Sequence, residues 1–515
     1  MIKRTVAIIL SVVFLLCALS SCGGAGSTTT TTSEYVPQPI EPMGDADGNG
    51  KTNEKDHALL LDYFAGSATE IRYEFCDLNG DFAVNEADAA LLRSYLDGER
   101  VEIVGAPFAR EDADVTGELV DLKINNSDIW SDKSSAYSIS RNPYDMISSN
   151  GVVMVSGGNY NDNTGPVVIK GYVRGSDKPI NMGSLNTEQV NRFYDCGNYI
   201  VALAIDAKTW GYGDVYMKSS TSNEWTTQSK VLVENIHCYD MVEFGGEYFF
   251  CGSSIKDLGG IVGETSKVSI YRASSLVCAM SRYDFEELEV VNKHGEVLTY
   301  ESSIASAEYN GESYYYSLGV PRFYEFFAFD GELYAFYYNQ YSSRYDEKYD
   351  YNGLYRYDRE SGRFIYDEKI DDEAIIKLLA DTPQDREKIQ HDFAFGDKYY
   401  FIKSGLYSTD DFNSIEKVVI EGYEDFAVRD AIFRGGKAYL LASRTKSNFF
   451  ENVVLETADF VSFRPILHFD SDLFARSFEF CNGEFYFGLG ISSEDDFDYY
   501  DITECGRIYR YSYYD

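Results

Sequence analysis

The sequence predicts a mainly β fold, a seven-bladed β-propeller with a small all-α domain in front. The first observation is composition, because 44 Tyr and 33 Phe stand against only 10 Pro, and aromatic side chains suit a half-buried pleated surface. The second is a turn that recurs before short apolar runs through most of the chain. At 515 residues the chain is too long for one ordinary domain.

Composition divides the chain into five segments. We predict a signal segment at 1–22, a linker at 23–43, a compact module at 44–100, a second linker at 101–117 and the propeller at 118–515. Gly, Thr and Pro dominate the first linker, which is typical of a flexible stalk.

The first segment resembles a bacterial export signal. A basic pair precedes an apolar run from Val6 to Leu19, which is short for a membrane span. The run ends in Leu-Ser-Ser-Cys and resembles the lipobox of lipoproteins, with Cys22 as its cysteine. The resemblance implies cleavage before Cys22, its acylation, and a lipid anchor on the extracellular face of the bacterial cell membrane. A plain secretory signal is the alternative.

The charge balance limits the class of partner. Lys and Arg number 45 against 84 Asp and Glu, which gives a formal net charge of −39. Phosphate backbones repel so acidic a chain, so we expect no nucleic-acid partner. Calcium and other cations are the small ligands that this charge favours.

Seven cysteines follow Cys22, and none shows a metal-site spacing such as C-x-x-C. We interpret them as small buried apolar side chains. A disulfide between Cys481 and Cys505 is the alternative, because export permits oxidation. The seven are Cys76, Cys196, Cys238, Cys251, Cys278, Cys481 and Cys505.

Two twelve-residue segments, 45–56 and 77–88, place oxygen-bearing side chains at positions 1, 3, 5, 9 and 12. Calcium takes six to eight oxygens, and a loop of this length can wrap one ion, with a backbone carbonyl from position 7. The predicted ligands of the first loop are Asp45, Asp47, Asn49, Lys51 through its carbonyl, Asn53 and Asp56. Those of the second are Asp77, Asn79, Asp81, Ala83 through its carbonyl, Asn85 and Asp88.

An amphipathic helix is predicted after each loop, and tandem loop–helix units with Asp at position 12 resemble the dockerin family. The resemblance implies two calcium ions and a cohesin domain on a scaffold protein as the partner. Loop position 6 usually requires Gly for a sharp turn. Gly50 meets this requirement in the first loop, whereas Phe82 occupies the position in the second. We therefore expect the second site to bind calcium more weakly.

The dockerin resemblance also implies which residues contact the cohesin. They are loop positions 10 and 11, Glu54 with Lys55 in one copy and Glu86 with Ala87 in the other. Because the two pairs differ, the sequence does not favour binding in two flipped orientations. A calcium-stapled module without a cohesin partner is the alternative.

The propeller prediction depends on seven turn pairs whose successive spacings are 47, 48, 85, 66, 39 and 47 residues. A four-stranded blade takes roughly 40–50 residues, so the longer gaps hold insertions. An eighth unit near Asn310-Gly311 would give an eight-bladed ring instead. The pairs are Asn150-Gly151, Gly197-Asn198, Gly245-Gly246, Asp330-Gly331, Gly396-Asp397, Gly435-Gly436 and Asn482-Gly483.

A polar residue lies five positions before each turn pair, and equivalent positions on innermost strands should surround the propeller axis. These residues either bond to neighbouring blades or form a ligand-binding or catalytic site. They are Asp145, Arg192, Asp240, Glu325, His391, Asp430 and Ser477.

The last blade lacks one strand if the chain simply ends at Asp515. The segment 118–124 alternates partly between apolar and polar residues. We predict that it forms the outer strand of the last blade, beside Arg507–Tyr511, because an open sheet edge promotes aggregation.

Three functions remain open on the sequence. The first is a surface lipoprotein whose dockerin joins a cellulosome-type system of polysaccharide degradation or binding, with the propeller as a glycan- or protein-binding module. The second is an enzyme, a propeller hydrolase of O-glycosyl bonds or a polysaccharide lyase, although no acid pair can be chosen by spacing. The third is a structural surface protein, since fold does not decide function.

Overall fold

The structure is a computed structural model of the whole chain. It describes residues 40–68, 70–99, 101–108, 120–121, 143, 145–149, 151–155, 167–176, 178–185, 189–206, 212–220, 225–227, 236–256, 265–281, 285–318, 322–339, 351–368, 376, 378–379, 392–403, 405–447, 449–490 and 507–513. The predicted signal segment with Cys22, most of the first linker, and His391 lie outside these residues.

A small helical module comes first. Its helices are α1 (Glu54–Phe64), α2 (Tyr73–Cys76) and α3 (Glu86–Leu96). Its buried core draws on residues before, between and after the helices, and it includes Ile40, Met43 and Ile103 from the two flanking segments. The core residues are Ile40, Met43, Ala46, Leu60, Cys76, Leu78, Leu92 and Ile103.

The remaining strands form seven blades in chain order, which confirms the predicted propeller. The strand β1 spans Val120–Asp121. Blade 1 contains β2 (Met146–Ser149), β3 (Val152–Val155), β4 (Val167–Tyr172) and β5 (Ile180–Leu185). Blade 2 contains β6 (Gln189–Asp195), β7 (Tyr199–Asp206), β8 (Tyr212–Ser219) and β9 (Thr226–Thr227). Blade 3 contains β10 (Ile236–Phe244), β11 (Glu247–Lys256), β12 (Thr265–Ala273) and β13 (Phe285–Leu288).

Blade 3 also carries the helix α4 (Leu276–Ser281) between β12 and β13. An insertion follows that blade, with β14 (Val290–Val291), a short 3₁₀ helix (Glu301–Ser303), β15 (Ile304–Tyr309) and β16 (Glu312–Ser317). Blade 4 then contains β17 (Arg322–Phe329), β18 (Glu332–Tyr338), β19 (Gly353–Asp358) and β20 (Arg363–Tyr366). The inserted β14 pairs in parallel with β20, so this blade has a fifth strand.

Blade 5 contains β21 (Phe393–Phe395), β22 (Lys398–Ile402), β23 (Leu406–Thr409) and β24 (Glu416–Lys417). Blade 6 contains β25 (Ala427–Arg434), β26 (Lys437–Thr445), β27 (Phe450–Thr457) and β28 (Arg464–Ser471). Blade 7 contains β29 (Phe474–Cys481), β30 (Glu484–Gly490) and β31 (Arg507–Ser512).

All seven predicted turn pairs lie between the first two strands of a blade. Asn310-Gly311 instead connects β15 and β16, which pair only with each other. The eight-bladed alternative is therefore wrong, because this hairpin is an insertion and not a blade. The same two-residue turn chemistry serves any tight hairpin, whether or not that hairpin joins a larger sheet.

The predicted ring closure is confirmed. Strand β1 pairs antiparallel with β31 through Val120 opposite Arg510 and Asp121 opposite Tyr509. Residues from the beginning of the propeller thus supply the fourth strand of the sheet that β29, β30 and β31 form, and they cover the edge of β31.

Apolar side chains fill the space between neighbouring blades. One buried cluster joins blades 3 and 4, and another joins blades 6 and 7. In the second cluster the rings of Phe469 and Phe487 lie 4.5 Å apart. Packing of this kind ties each blade to the next, so the inner strands are held in fixed positions around the axis.

The cysteines support the first interpretation of their role. Cys481 is a free, buried thiol whose Sγ lies 3.7 Å from the carbonyl oxygen of Ile103. The alternative of a Cys481–Cys505 disulfide is therefore wrong, and Cys505 itself lies outside the described residues. Cys76 and Cys251 are buried as well, and Cys196 and Cys278 are partly buried.

Candidate functional site

The first predicted metal loop brings its acidic side chains together. One carboxylate oxygen from each of Asp45, Asp47 and Asp56 lies within 4.8 Å of the other two. Asp45 accepts hydrogen bonds from the backbone N–H of Asn49 (3.0 Å) and of Gly50 (2.7 Å). These bonds wrap the loop around its first residue, as an ion-binding loop of twelve residues requires.

The second loop repeats this geometry. Asp77 accepts from the backbone N–H of Asp81 at 3.1 Å and of Phe82 at 2.8 Å, the same loop positions as in the first copy. Position 6 is left-handed in both loops, with φ of 81° at Gly50 and 64° at Phe82. Phe82 therefore adopts the backbone conformation that the sequence alone led us to expect only from glycine.

Positions 9 and 12 of each loop also start the following helix. The side chain of Asn53 accepts from the N–H of Lys55, while Asp56 accepts from the N–H of Asn53 at 2.9 Å. Asn85 and Asp88 form the same reciprocal cap on α3. The caps fix the last two ligand side chains relative to the helix, so each loop is tied to a rigid element.

The buried carboxylates make a divalent cation the natural occupant. Asp45, Asp56, Asp77 and Asp88 are at most 2% exposed. Burial raises the pKa of Asp77 to about 6 and also raises those of Asp56 and Asp88. Among the residues that the structure describes, these four carboxylates form no ion pair with Lys or Arg. The carboxylate and carbonyl oxygens suit a hard cation such as calcium.

Three of the seven polar residues that the repeat predicts for the propeller axis join adjacent blades. Asp145 accepts from the N–H of Phe193 in blade 2 at 2.7 Å. Asp240 accepts from the N–H of Phe326 in blade 4 at 2.7 Å.

Asp430 likewise accepts from the N–H of Phe478 in blade 7 at 2.9 Å. The second oxygen of each aspartate accepts from the N–H of the residue after it. Each carboxylate thus satisfies two buried donors, one of them across the blade boundary. Burial raises the pKa of all three, to about 7 for Asp145.

The other axis positions have different partners. Arg192 pairs with Asp240 at 3.1 Å, and the Ser477 hydroxyl donates to the carbonyl of Pro143 at 2.8 Å. Glu325 lies 3.1 Å from the ammonium of Lys403, which is also 3.8 Å from Asp392.

These three residues therefore also contact other parts of the propeller, and Arg192 in addition lines a cavity. That cavity, of about 360 Å³, lies among the inner strands of blades 1, 2, 6 and 7. Its polar lining consists of Asp145, Arg192, Asp195, Asp430, Arg434 and Glu479.

The comparisons with known proteins agree with the geometry of the first module. Residues 43–97 match the family model described as Dockerin type I domain. These residues form a dockerin type I domain. No curated protein matches the chain.

Several solved structures are similar to the propeller. Acylaminoacyl peptidase from Pyrococcus horikoshii aligns with 69% of this chain and 50% of its own, at 10% identity and a TM-score of 0.37. The chain likewise spans only 48% of a prolyl endopeptidase chain, at a TM-score of 0.35. The β-propeller domain of the Trilobed protease from Pyrococcus furiosus aligns with 66% of this chain and 87% of its own, at 10% identity and a TM-score of 0.32.

The dockerin's predicted cohesin-contact residues, Glu54, Lys55, Glu86 and Ala87, are all exposed. Sequence reasoning missed Arg93, which bridges Glu54 at 2.7 Å and Asp97 at 2.6 Å. The residue 32 positions earlier, which the repeat makes its counterpart, is Leu61, and it is 48% exposed. The two copies of the dockerin therefore differ at this position, which carries a paired arginine on α3 and an exposed apolar side chain on α1.

Sequence reasoning also missed several polar residues around the axis. Arg434 pairs with Glu479 at 2.6 Å, and Glu479 accepts from the N–H of Ser148 in blade 1 at 3.2 Å. This series of polar contacts joins blades 6, 7 and 1, where the ring closes. The sequence did contain a signal for the hydrogen bonds that the three aspartates make between blades. In each case the donor residue directly follows the axis position of the next blade, as Phe193 follows Arg192.

No helix in the described ranges combines the length and apolar character that a bilayer crossing needs.

Proposed function

We propose that this chain is a lipoprotein of the bacterial cell surface whose dockerin domain binds a cohesin-bearing partner when calcium is bound. The process served is polysaccharide degradation or binding in a cellulosome-type system. The observation that carries the proposal is the pair of similar loops, each with two buried carboxylates that form no ion pair with a cationic side chain in the described part of the chain. Calcium supplies the opposite charge and orders both loops.

The dockerin offers its cohesin one face in one orientation. Leu61 supplies exposed apolar area on α1, whereas Arg93, its counterpart on α3, pairs with Glu54 of α1 and with Asp97. Rotating the dockerin by half a turn would exchange the positions of its two copies on the cohesin surface. A cohesin that contacts Leu61 in one orientation would then face the charged Arg93, so only one orientation is favourable.

The propeller acts as a binding module in this proposal, and a glycan is the ligand class that its cavity favours. Polar residues and the aromatic residues Tyr194 and Phe433 are among those that line the cavity, and sugars present both hydroxyl groups and apolar faces. Both carboxylate oxygens of Asp145 and of Asp430 accept hydrogen bonds from backbone N–H groups. This arrangement supports binding over a glycosidase role for these two carboxylates.

The membrane anchor is Cys22 in this proposal, and the lipobox-like sequence around it is the support. Acyl chains on that cysteine would hold the protein at the membrane, and the stalk after it would raise the dockerin above the surface.

A pull-down tests the partner. The full-length chain should retain a member of a panel of cohesin domains in calcium, and Leu61→Asp should abolish retention, since it places a charge on the predicted apolar contact. Val461, which is 80% exposed on the propeller, provides the matched control, so Val461→Asp should bind like the wild type. Equal loss in both variants, or no retention by any cohesin, would refute the proposal. Screening the chain on polysaccharides for binding and for released sugars separates a binding module from an enzyme.

A further inference from the structure

The second calcium loop of the dockerin packs directly on the propeller. The ring of Phe82 lies 5.1 Å from that of Phe108, and the ammonium of Lys437 in blade 6 lies 4.4 Å from the centre of the Phe82 ring. Phe82 also packs against the buried cluster that joins blades 6 and 7. Position 6 of this loop is therefore an anchor residue.

The propeller has a matching gap at the turn between β25 and β26. A Cβ atom added to Gly435 would meet the Phe82 ring and would lie 2.7 Å from the carbonyl carbon of Asp81. The neighbouring Gly436 has no heavy atom within 4 Å of the same position. Gly435 is thus the site where the backbone of the loop and the backbone of the turn approach each other most closely.

The segment after the dockerin continues the contact onto the closing blade. The N–H of Asn482 in blade 7 donates to the carbonyl of Val104 at 3.2 Å. The hydroxyl of Tyr439 in blade 6 donates to the carbonyl of Pro107 at 3.4 Å. The loop and this segment together contact the first turns of blades 6 and 7, and blade 7 is the one that β1 completes.

The two loops hold position 6 in the left-handed conformation in different ways. Gly50 adopts it without a Cβ, and no heavy atom lies within 4 Å of the position that a Cβ would take. Phe82 is a bulky residue for which this conformation is strained, so the contacts with Phe108, Lys437 and Gly435 must stabilise it. The ion-binding form of the second loop and its contact with the propeller therefore require the same backbone conformation.

We propose that the second loop is a structural calcium site for the propeller, in which calcium binding and docking of Phe82 stabilise each other. This inference rests on the proposed calcium binding and adds a role that cohesin recognition does not need. Thermodynamic linkage makes the effect reciprocal, so calcium stabilises the propeller to the extent that docking strengthens calcium binding. Within the described part of the chain, Gly50 has no counterpart of these contacts at position 6 of the first loop, so that loop should bind calcium independently of the propeller.

Paired variants of the full-length chain separate the two loops. Asp45→Ala and Asp77→Ala remove the position-1 ligand from the first and second loop respectively. Tryptophan fluorescence reports melting of the propeller, because Trp130, Trp210 and Trp225 all lie outside residues 43–97. Calcium should raise the melting temperature of the wild type and of Asp45→Ala but not that of Asp77→Ala. An equal rise in all three, or no rise in the wild type, would overturn the inference.

A second pair tests the docking itself. Calorimetric titration of Gly435→Ala should show the second calcium site weakened about ten-fold, within the usual range of coupling between sites. Gly436→Ala is the control, since both glycines have positive φ, 51° and 76°, but an added Cβ meets the loop at Gly435 and open space at Gly436. Unchanged calcium affinity in Gly435→Ala would also overturn the inference. Two calcium ions bound without any effect on propeller melting would refute only this coupling, whereas no calcium binding would refute the proposed calcium function as well.

Discussion

Replacing Asp430 should show how much the cross-blade aspartates contribute to propeller stability. Asp430 is 3% exposed, and Asp430→Ala leaves the N–H groups of Ala431 and Phe478 without their acceptor. A buried donor left without a partner costs about 1–3 kcal/mol, so two cost about 4 kcal/mol. Asp430→Asn keeps one acceptor oxygen and should lose about half as much.

Urea unfolding followed by tryptophan fluorescence measures these differences. We expect the wild type to be the most stable, Asp430→Asn to be intermediate and Asp430→Ala to be the least stable. In thermal unfolding, each kcal/mol lost should lower the melting temperature by roughly 1 °C in a propeller of about 400 residues. Asp397 lies exposed in the first turn of blade 5, so Asp397→Ala should stay within about 0.5 kcal/mol of the wild type. If Asp430→Ala has the same urea midpoint as the wild type, or if Asp430→Asn is less stable than Asp430→Ala, the hydrogen bonds between blades do not contribute as described.

Three further outcomes are expected. Burial, and next Asp392, raise the pKa of Glu325 from 4.5 to about 8. The stability that this carboxyl contributes is therefore fully present below pH 4.5 and lost as the pH rises towards 8, so urea midpoints should fall over this interval and fall less in Glu325→Gln. Deleting residues 115–126 removes β1, exposes the edge of β31 and should lower the propeller's melting temperature. Cys22→Ala should move the protein from the membrane fraction to the medium, and retention at the membrane would contradict the lipid anchor.

The repeat was predictable from the sequence because its signal is local. Two-residue turns with Gly or Asn mark the first hairpin of every blade, and fixed offsets from them locate the innermost strand. Strand β1 was also predictable, because the last blade lacked a strand and the segment before the first blade had a suitable pattern. The predicted count of seven was right, and only the alternative of an eighth blade at Asn310-Gly311 was wrong, because an inserted hairpin uses the same turn chemistry there.

One repeated turn went unnoticed until the strands were located. In blade 5 the Thr409 hydroxyl accepts from the N–H of Phe412, and in blade 6 the Thr457 hydroxyl accepts from the N–H of Phe460, both at 2.8 Å. Both phenylalanines are buried and have positive φ. The pattern Thr-x-Asp-Phe connects the third and fourth strands in both blades, and its two copies were visible in the sequence.

The role of Phe82 could not be predicted, because it depends on residues far apart in the chain. From residues 77–88 alone, the presence of Phe82 where glycine is usual predicted weaker calcium binding by the second loop. The structure brings Phe108 from the following segment and Lys437 with Gly435 from blade 6 against the same ring. No local pattern links these positions, so only the folded chain shows that Phe82 is an anchor.

Calorimetric titration of the full-length chain with its cohesin, in calcium and then in excess EGTA, tests calcium-dependent partner binding most directly. We predict one cohesin bound per chain in calcium, no measurable binding in EGTA, and recovery when calcium is restored. Binding of equal strength in EGTA would contradict calcium dependence, and the absence of binding to every cohesin tested in calcium would contradict the proposed partner.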